Sequence, residues 1–288
     1  MTSLDLDHVG IAVTNLDDAA SKFRRLGFQL TPRGYHTLPP PEPSAGRPRV
    51  GTGNHCAMMR QGYLELIGIT DPAYQGRLRA DITRYEGIHI VAFGTADIAA
   101  LARKILGGGI EVSRPRMLER PIEEGGSTHL ARFEILDFPG ELLPEGHFFA
   151  IHHATPALLW KKELLTHPNG AASLKALTIA VVDPANFARR LGSVLSAKPI
   201  AGDEPLFALN STSLRIVDAG WVAANFPGQT PSPPYIAGVG LGVTDLNQTA
   251  GVLGQNGVAF RRERGALMVS PSEGCGSYIE FQPETVRG

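Results

Sequence analysis

The chain has 288 residues, 27 basic and 28 acidic side chains, a formal net charge of −1 and two cysteines. That balance, with no long run of one sign, excludes the basic footprint of a nucleic-acid-binding protein. No stretch approaches the roughly 20 apolar residues of a membrane span, and no basic segment precedes the first apolar run, so neither a membrane nor a secreted protein is expected. Cys56 and Cys275 lie far apart without CxxC spacing, which suits a reducing, cytoplasmic setting. The length suits two domains or one double domain.

In chain order, residues 8–13 alternate around small side chains and read as a strand. Asn15 or Asp17 can cap a helix over 19–26 that stops at Gly27. Residues 28–31 read as a second strand, and the Pro-rich run 36–52 as a surface loop or lid containing Pro39, Pro40, Pro41, Pro43 and Pro48. Residues 55–59 and 63–69 form a hairpin turning at Gln61 and Gly62. The order then repeats: a strand at 88–93, a helix at 98–106 ending in Gly107, Gly108 and Gly109, a strand at 110–113, and a hairpin from 128–136 and 147–152. Residues 154–171, with Pro156, Pro168 and Gly170, read as a linker between halves 1–153 and 172–288. Two shorter units follow, with strands at 206–209, 213–217, 266–269 and 277–282.

HVGIAVTNL at 8–16 recurs as LKALTIAVVDP at 174–184 and IAGVGLGVTDL at 236–246, with a looser copy, GIHIVAFGTADI, at 87–98. Repetition on this scale predicts an α+β fold of four tandem βαβββ units. LDHVGIAVTNLDDAA and YLELIG make the chain similar to the vicinal oxygen chelate superfamily of glyoxalases, bleomycin resistance proteins and extradiol dioxygenases. GTGNH, HHATPALLW and HPNGA resemble its glyoxalase-like domain proteins more narrowly. The resemblance implies two paired, curved mixed β-sheets with flanking helices, each pair able to enclose a metal.

In that family pattern the ligands come from the first and last strands of paired units. Carried over, the pattern implies His8, Glu65, His89 and His153 as ligands of a divalent ion (Fe, Mn, Zn, Ni or Co), with Glu65 also catalytic. His8 to His89 and Glu65 to His153 span similar offsets, although counting back from the following helix sets Ile90 opposite His8. His152 and His153 point to opposite faces, and the choice between them is open. Asn54, His55 and Arg132 are candidate substrate contacts; Trp160 and His167 flank the linker. In the second half the positions of His8 hold Ala176 and Gly238, and those of Glu65 hold Arg215 and Glu280, so that half is expected to be metal-free. Ala176 and Gly238 are expected to accept small polar substitutions. Pairing of the first unit with the fourth, which would bring Glu280 toward His8, is the alternative to pairing with the second.

The function expected is a metal-dependent enzyme acting on a small, oxygen-rich organic substrate, as a lyase/isomerase or a ring-cleaving dioxygenase. The alternative is a metal-free small-molecule binding or resistance protein on the same fold. A small molecule is the expected partner, with a homodimer as a further expectation.

Overall fold

The computed structural model describes residues 4–42, 45–200, 202–226 and 230–284. Pro43 of the Pro-rich run lies outside them. Strand β1 (Asp5–Val13) ends at Asn15, whose side chain accepts the backbone N–H groups of Asp17 and Asp18 and caps α1 (Leu16–Arg25). Then come β2 (Gly34–Thr37), β3 (Arg49–Met58), β4 (Tyr63–Ile69) and α2 (Arg77–Arg84). The strand–cap–helix start returns in β5 (Gly87–Gly94), where Asp97 caps α3 (Ile98–Gly107), followed by β6 (Arg116–Glu124), β7 (Ser127–Asp137) and β8 (His147–His153). It returns again in β9 (Ala171–Ala180), with Asp183 capping α4 (Pro184–Leu195), then β10 (Leu206–Ala208), β11 (Ser213–Val217) and α5 (Ala219–Asn225). A last start is β12 (Tyr235–Val243), with Asp245 capping α6 (Leu246–Gln255), before β13 (Phe260–Glu263), β14 (Ala266–Val269) and β15 (Tyr278–Pro283).

The strands join in one mixed sheet whose main path runs β10-β11-β9-β12-β5-β1-β4-β3-β2. β1 pairs antiparallel with β5, and β9 with β12. Each of these four strands takes its own unit's last strand as a parallel neighbour: β4, β8, β11 and β15. The first unit therefore pairs with the second, and Glu280 stays beside Gly240 in the second half. β5 and β12 pair at Ile88 and Ile236.

The amphipathic helices lay Phe23, Leu101, Ile105, Phe187, Leu191 and Leu253 against one face of the sheet, where Val9, Ile11, Leu64 and Leu66 complete a continuous core. Alternation along β4 then sends Glu65 to the other, concave face. On that face residues 5–153 carry smaller clusters, one around Phe133 and Phe149 and one around Cys56, Met58 and Tyr63. The linker is folded over them: Leu158 and Leu159 pack on the first, and Leu159, Trp160, Leu164 and Leu165 on the second.

Several sequence expectations shift. Residues 28–31 are not a strand: Phe28 is drawn into the core, and the Thr31 backbone N–H and side-chain hydroxyl bond the β3 backbone at Cys56. Strand β2 falls at Gly34–Thr37 instead, running into the start of the expected loop. Residues 110–113 are irregular, and the strand begins at Arg116. α2 and α5 were not expected, since each buries only one apolar side chain, Leu78 and Val222, and leaves little periodic signal. No helix among the described residues is long and apolar enough to cross a membrane.

Candidate functional site

His8 lies on the concave face of β1, buried, with its ring stacked on Tyr63 at 4.3 Å and edge-on to Phe149 at 5.7 Å. The β1–β5 register slips between Leu6 and His8. Such a bulge re-aims side chains, and here it lets Asp7 reach the ring of its own neighbour. His8 Nδ1 is 2.6 Å from Asp7 Oδ1, and His153 Nε2 is 3.1 Å from both Asp7 oxygens. Burial pushes the Asp7 pKa up, but hydrogen bonds from His153 and then His8 outweigh it and hold the carboxyl well below its usual range. An ionised Asp7 is an acceptor only, so His8 donates to it from Nδ1, which turns Nε2 toward the rest of the concave face.

Glu65 sits on β4 beside Gly10 and opposite Cys56. Asn54 Nδ2 donates to Glu65 Oε1, and His36 Nε2 lies 3.5 Å from the same oxygen. Burial raises the Glu65 pKa, yet the hydrogen bond and charge of His36, the charge of His8 and the Asn54 amide bring it down to about 2. Asn54 Oδ1 in turn accepts Arg120 Nη2 at 2.7 Å. Arg120 comes from β6 and crosses from the second unit, tying the two walls together. His36 is held by Thr52 Oγ1 at 2.9 Å.

Two neighbours on this face are chemically quiet. Burial pushes the Cys56 thiol up to about 12 and the Tyr63 phenol well above its usual value, which rules against a thiolate nucleophile at neutral pH. Trp160 closes one side: its Nε1 donates to Met59 O at 3.0 Å, and its ring stands edge-on to His153 at 4.8 Å. His153 Nδ1, buried there, has no hydrogen-bond partner among the described residues.

His8, Glu65 and Asn54 are therefore gathered as the sequence suggested, while three other candidates stand elsewhere. His89 is at a second slip in the β1–β5 register; its ring stacks on Tyr85 at 3.9 Å and its Nε2 donates to Tyr85 O at 2.9 Å. His55 alternates to the face opposite Asn54 and holds Thr31 O at 2.8 Å through Nδ1. Arg132 is exposed and pairs with Glu119 at 3.2 Å. Of the two adjacent histidines, His152 lies 3.2 Å from Thr95 O, and His153 is the one on the concave face. His167 bridges Met58 O and the Gln29 N–H within the linker's turn.

The displacement of His89 has a positional cause. The step from Asn15 to Asp97, the two helix caps, carries His8 to Ile90, and the pairing of β5 with β8 makes Phe149 the counterpart of Glu65. Both partner positions are apolar. Among the described residues no group of three or more His, Cys, Asp or Glu is arranged to hold a metal ion. The donor set thus does not fit the four-ligand centre expected from sequence: His89 faces Tyr85, and His153 is engaged by Asp7. His36 and Arg120 were missed, the one at the edge of the Pro-rich loop and the other in an unassigned stretch. The alternation Arg116, Leu118, Arg120, Ile122 is the signal that could have placed Arg120 with the apolar face of β6.

A family model described as a glyoxalase-like domain matches residues 6–195. The chain belongs to this glyoxalase-like family, within the vicinal oxygen chelate superfamily. Solved structures share the fold. A Staphylococcus aureus protein described as hypothetical superposes with a TM-score of 0.68 at 14% identity, over 98% of this chain and 100% of that one. A mutant of 4-hydroxymandelate synthase from Streptomyces coelicolor gives 0.59 at 15% identity, over 100% and 95%. A fusion of a xylose isomerase-like TIM barrel with 4-hydroxyphenylpyruvate dioxygenase gives 0.58 at 10% identity, over 98% of this chain and 49% of the fusion. No curated protein matches the sequence. At these identities the structural likeness concerns the fold alone, and the glyoxalase-like site has to be read from its own residues.

Proposed function

We propose that residues 5–153 form a small-molecule site in which His8 acts as a base toward an oxygen-rich organic substrate, giving lyase or isomerase chemistry by proton transfer. The observation that carries this reading is the contact of His8 Nδ1 with Asp7, which leaves a basic Nε2 on the concave face near Glu65. A base so oriented is worth about 10²–10⁴-fold in rate when it removes a proton in the transition state. Glu65, already ionised, would stabilise the imidazolium that forms, while Asn54 and Arg120 would present N–H donors to substrate oxygens after exchanging their mutual bond. The apolar wall of Ile90, Phe133 and Phe149 would exclude water from the transfer.

In this reading the chain is two halves, 1–153 and 172–288 around a linker, each a pair of units from a fourfold repeat. The four capped strand–helix starts and the four parallel first-to-last strand pairs support that count. Metal-dependent isomerisation or ring cleavage would need an ion held by at least three protein donors in the usual arrangements. His8 and Glu65 supply two, and the counterparts Ile90 and Phe149 supply none.

A second reading, ligand capture without turnover, is favoured by one feature: Glu65 is already satisfied by Asn54 and His36. One experiment separates the two. The protein is incubated in D2O with a panel of α-hydroxy and α-keto acids and aldehydes, and NMR follows replacement of the C–H next to the carbonyl, with metal content measured on the same sample. Exchange catalysed by the native protein and lost in His8→Ala supports proton transfer. Saturable binding with no exchange supports capture, and exchange that needs an added divalent ion refutes the metal-independent reading.

A further inference from the structure

The second half carries a cavity of its own. It measures about 120 Å³ and lies on the concave face where β9 and β12 meet, between β11 and β15. Its origin is legible in the repeat. The helix caps Asn15, Asp183 and Asp245 carry His8 onto Ala176 and Gly238, as the sequence suggested. Across the sheet, one row of paired residues runs Arg215, Thr178, Gly238, Tyr278 and the next Ser213, Ala176, Gly240, Glu280. The first half fills the matching floor with the imidazole of His8 and the side chain of Ile90, which packs so closely that a Cβ on Gly10 would lie 2.8 Å from it. Glycine and alanine in their place leave an opening.

The walls of that opening are polar. Thr178, Ser213, Glu280 and Gln282 line it, each half-buried. A few polar groups converging on one hollow are what fixes the orientation of a small ligand. Glu280 and Arg215 do not pair with each other. Arg215 reaches outward, 3.8 Å from Glu204 and 5.2 Å from the centre of the Trp221 ring, and stands half-exposed at the mouth. Burial raises the Glu280 pKa, with the charges of Arg215 and Arg264 opposing. A carboxylate inside, a guanidinium at the mouth and an apolar side formed by Phe226 and Met268 define a dipolar pocket.

We propose that this cavity is a second ligand site, distinct from the His8 cleft, that takes a small zwitterion of the amino-acid class. The ammonium group bonds Glu280 with help from Ser213 and Gln282, and the carboxylate is met by Arg215. A short side chain rests on Phe226 and Met268. The volume admits a compact amino acid and excludes a peptide. No residue of this pocket is shared with the His8 site, so the two readings stand or fall separately.

The test is ligand-observed NMR and isothermal titration of the full-length protein with the standard amino acids, with ethylamine and propionate as singly charged controls. At least one small amino acid should bind saturably, and each control about tenfold more weakly or worse, as expected for loss of one charge-assisted contact. Glu280→Gln and the cavity-filling Ala176→Leu should each weaken binding about tenfold or more, while His8→Ala leaves it unchanged. Ser213→Ala, which removes a hydroxyl offered to the ammonium group, also weakens binding and keeps the test valid should Ala176→Leu not fold. Absence of saturable binding by every amino acid overturns the proposal. So does an affinity that Glu280→Gln and Ser213→Ala leave intact, or equal binding by ethylamine or propionate alone.

Discussion

Replacing Asp7 by asparagine isolates the group on which the His8 site turns. The Asp7 carboxylate accepts from two imidazoles, at 2.6 Å from His8 Nδ1 and 3.1 Å from His153 Nε2. A hydrogen bond to a charged group contributes about 1.5–3 kcal/mol, against about 1 kcal/mol for a neutral one. Asparagine loses the charge in both bonds. Because His153 Nε2 faces both oxygens equally, an amide oxygen on the His8 side still accepts from both rings, but the NH2 group then stands against the His153 donor where an acceptor stood. That opposed donor adds about 1 kcal/mol or more. Asp7→Asn should therefore destabilise the fold by roughly 2–4 kcal/mol near pH 7 after partial relaxation. The sign with pH follows from the direction of the shift: a carboxyl held below its ordinary 3.8 contributes stability that is complete above that value and fades as pH falls through the depressed native pKa. Urea unfolding should show the difference undiminished at about pH 5 and shrinking below about pH 4, with exposed Asp18→Asn as the control. A loss under about 0.5 kcal/mol at pH 7, the size of an ordinary surface change, would refute the carboxylate bridge.

Three further outcomes follow from the same geometry. Gly238→Ser should cost about 1–3 kcal/mol in chemical denaturation, because its Cβ would sit 2.6 Å from Tyr278 O; the sequence expectation of tolerance there ignored the pairing strand. Trp160→Ala should open the linker strap, so that thiol labelling of Cys56, mapped by mass spectrometry, accelerates; unchanged labelling would mean that another segment shields the site. His89→Ala should lower thermal stability through the lost Tyr85 contacts while leaving His8-dependent hydrogen exchange unchanged, and a loss of exchange in the still-folded variant would return His89 to the site.

What the sequence made legible was the recurring strand–cap–helix start. The Asn or Asp cap after an alternating strand is a local signal, written in side chains that bond the next turn of their own chain, and it located β1, β5, β9 and β12 and the helices that follow. His8, Glu65 and Asn54 could be read with it because each keeps simple alternation within one unit. β2 and β6 could not, since their edges are set by long-range pairing and not by propensity. His36 and Arg120 were lost with them.

The ligand set failed for a different reason. Two slips in a single strand pair, at Leu6/His8 and Gly10/Ile11, change which side chains reach the cleft. Neither slip alters composition or hydrophobic pattern, so a histidine count along the chain is blind to both. One bulge turns Asp7 toward His8 and His153; the other strands His89 against Tyr85. Counting from the helix cap is immune to this error, because the cap is fixed by its own hydrogen bonds, and it assigns Ile90, Ala176 and Gly238 as the counterparts of His8. These substitutions have opposite consequences. Isoleucine packs onto Gly10 in the first cleft, whereas alanine and glycine line the hollow beside Glu280 and Arg215 in the second. The same strand–cap–helix frame thus holds a histidine–carboxylate contact under the linker in residues 5–153 and a hollow lined by Glu280 and Arg215 in residues 171–283.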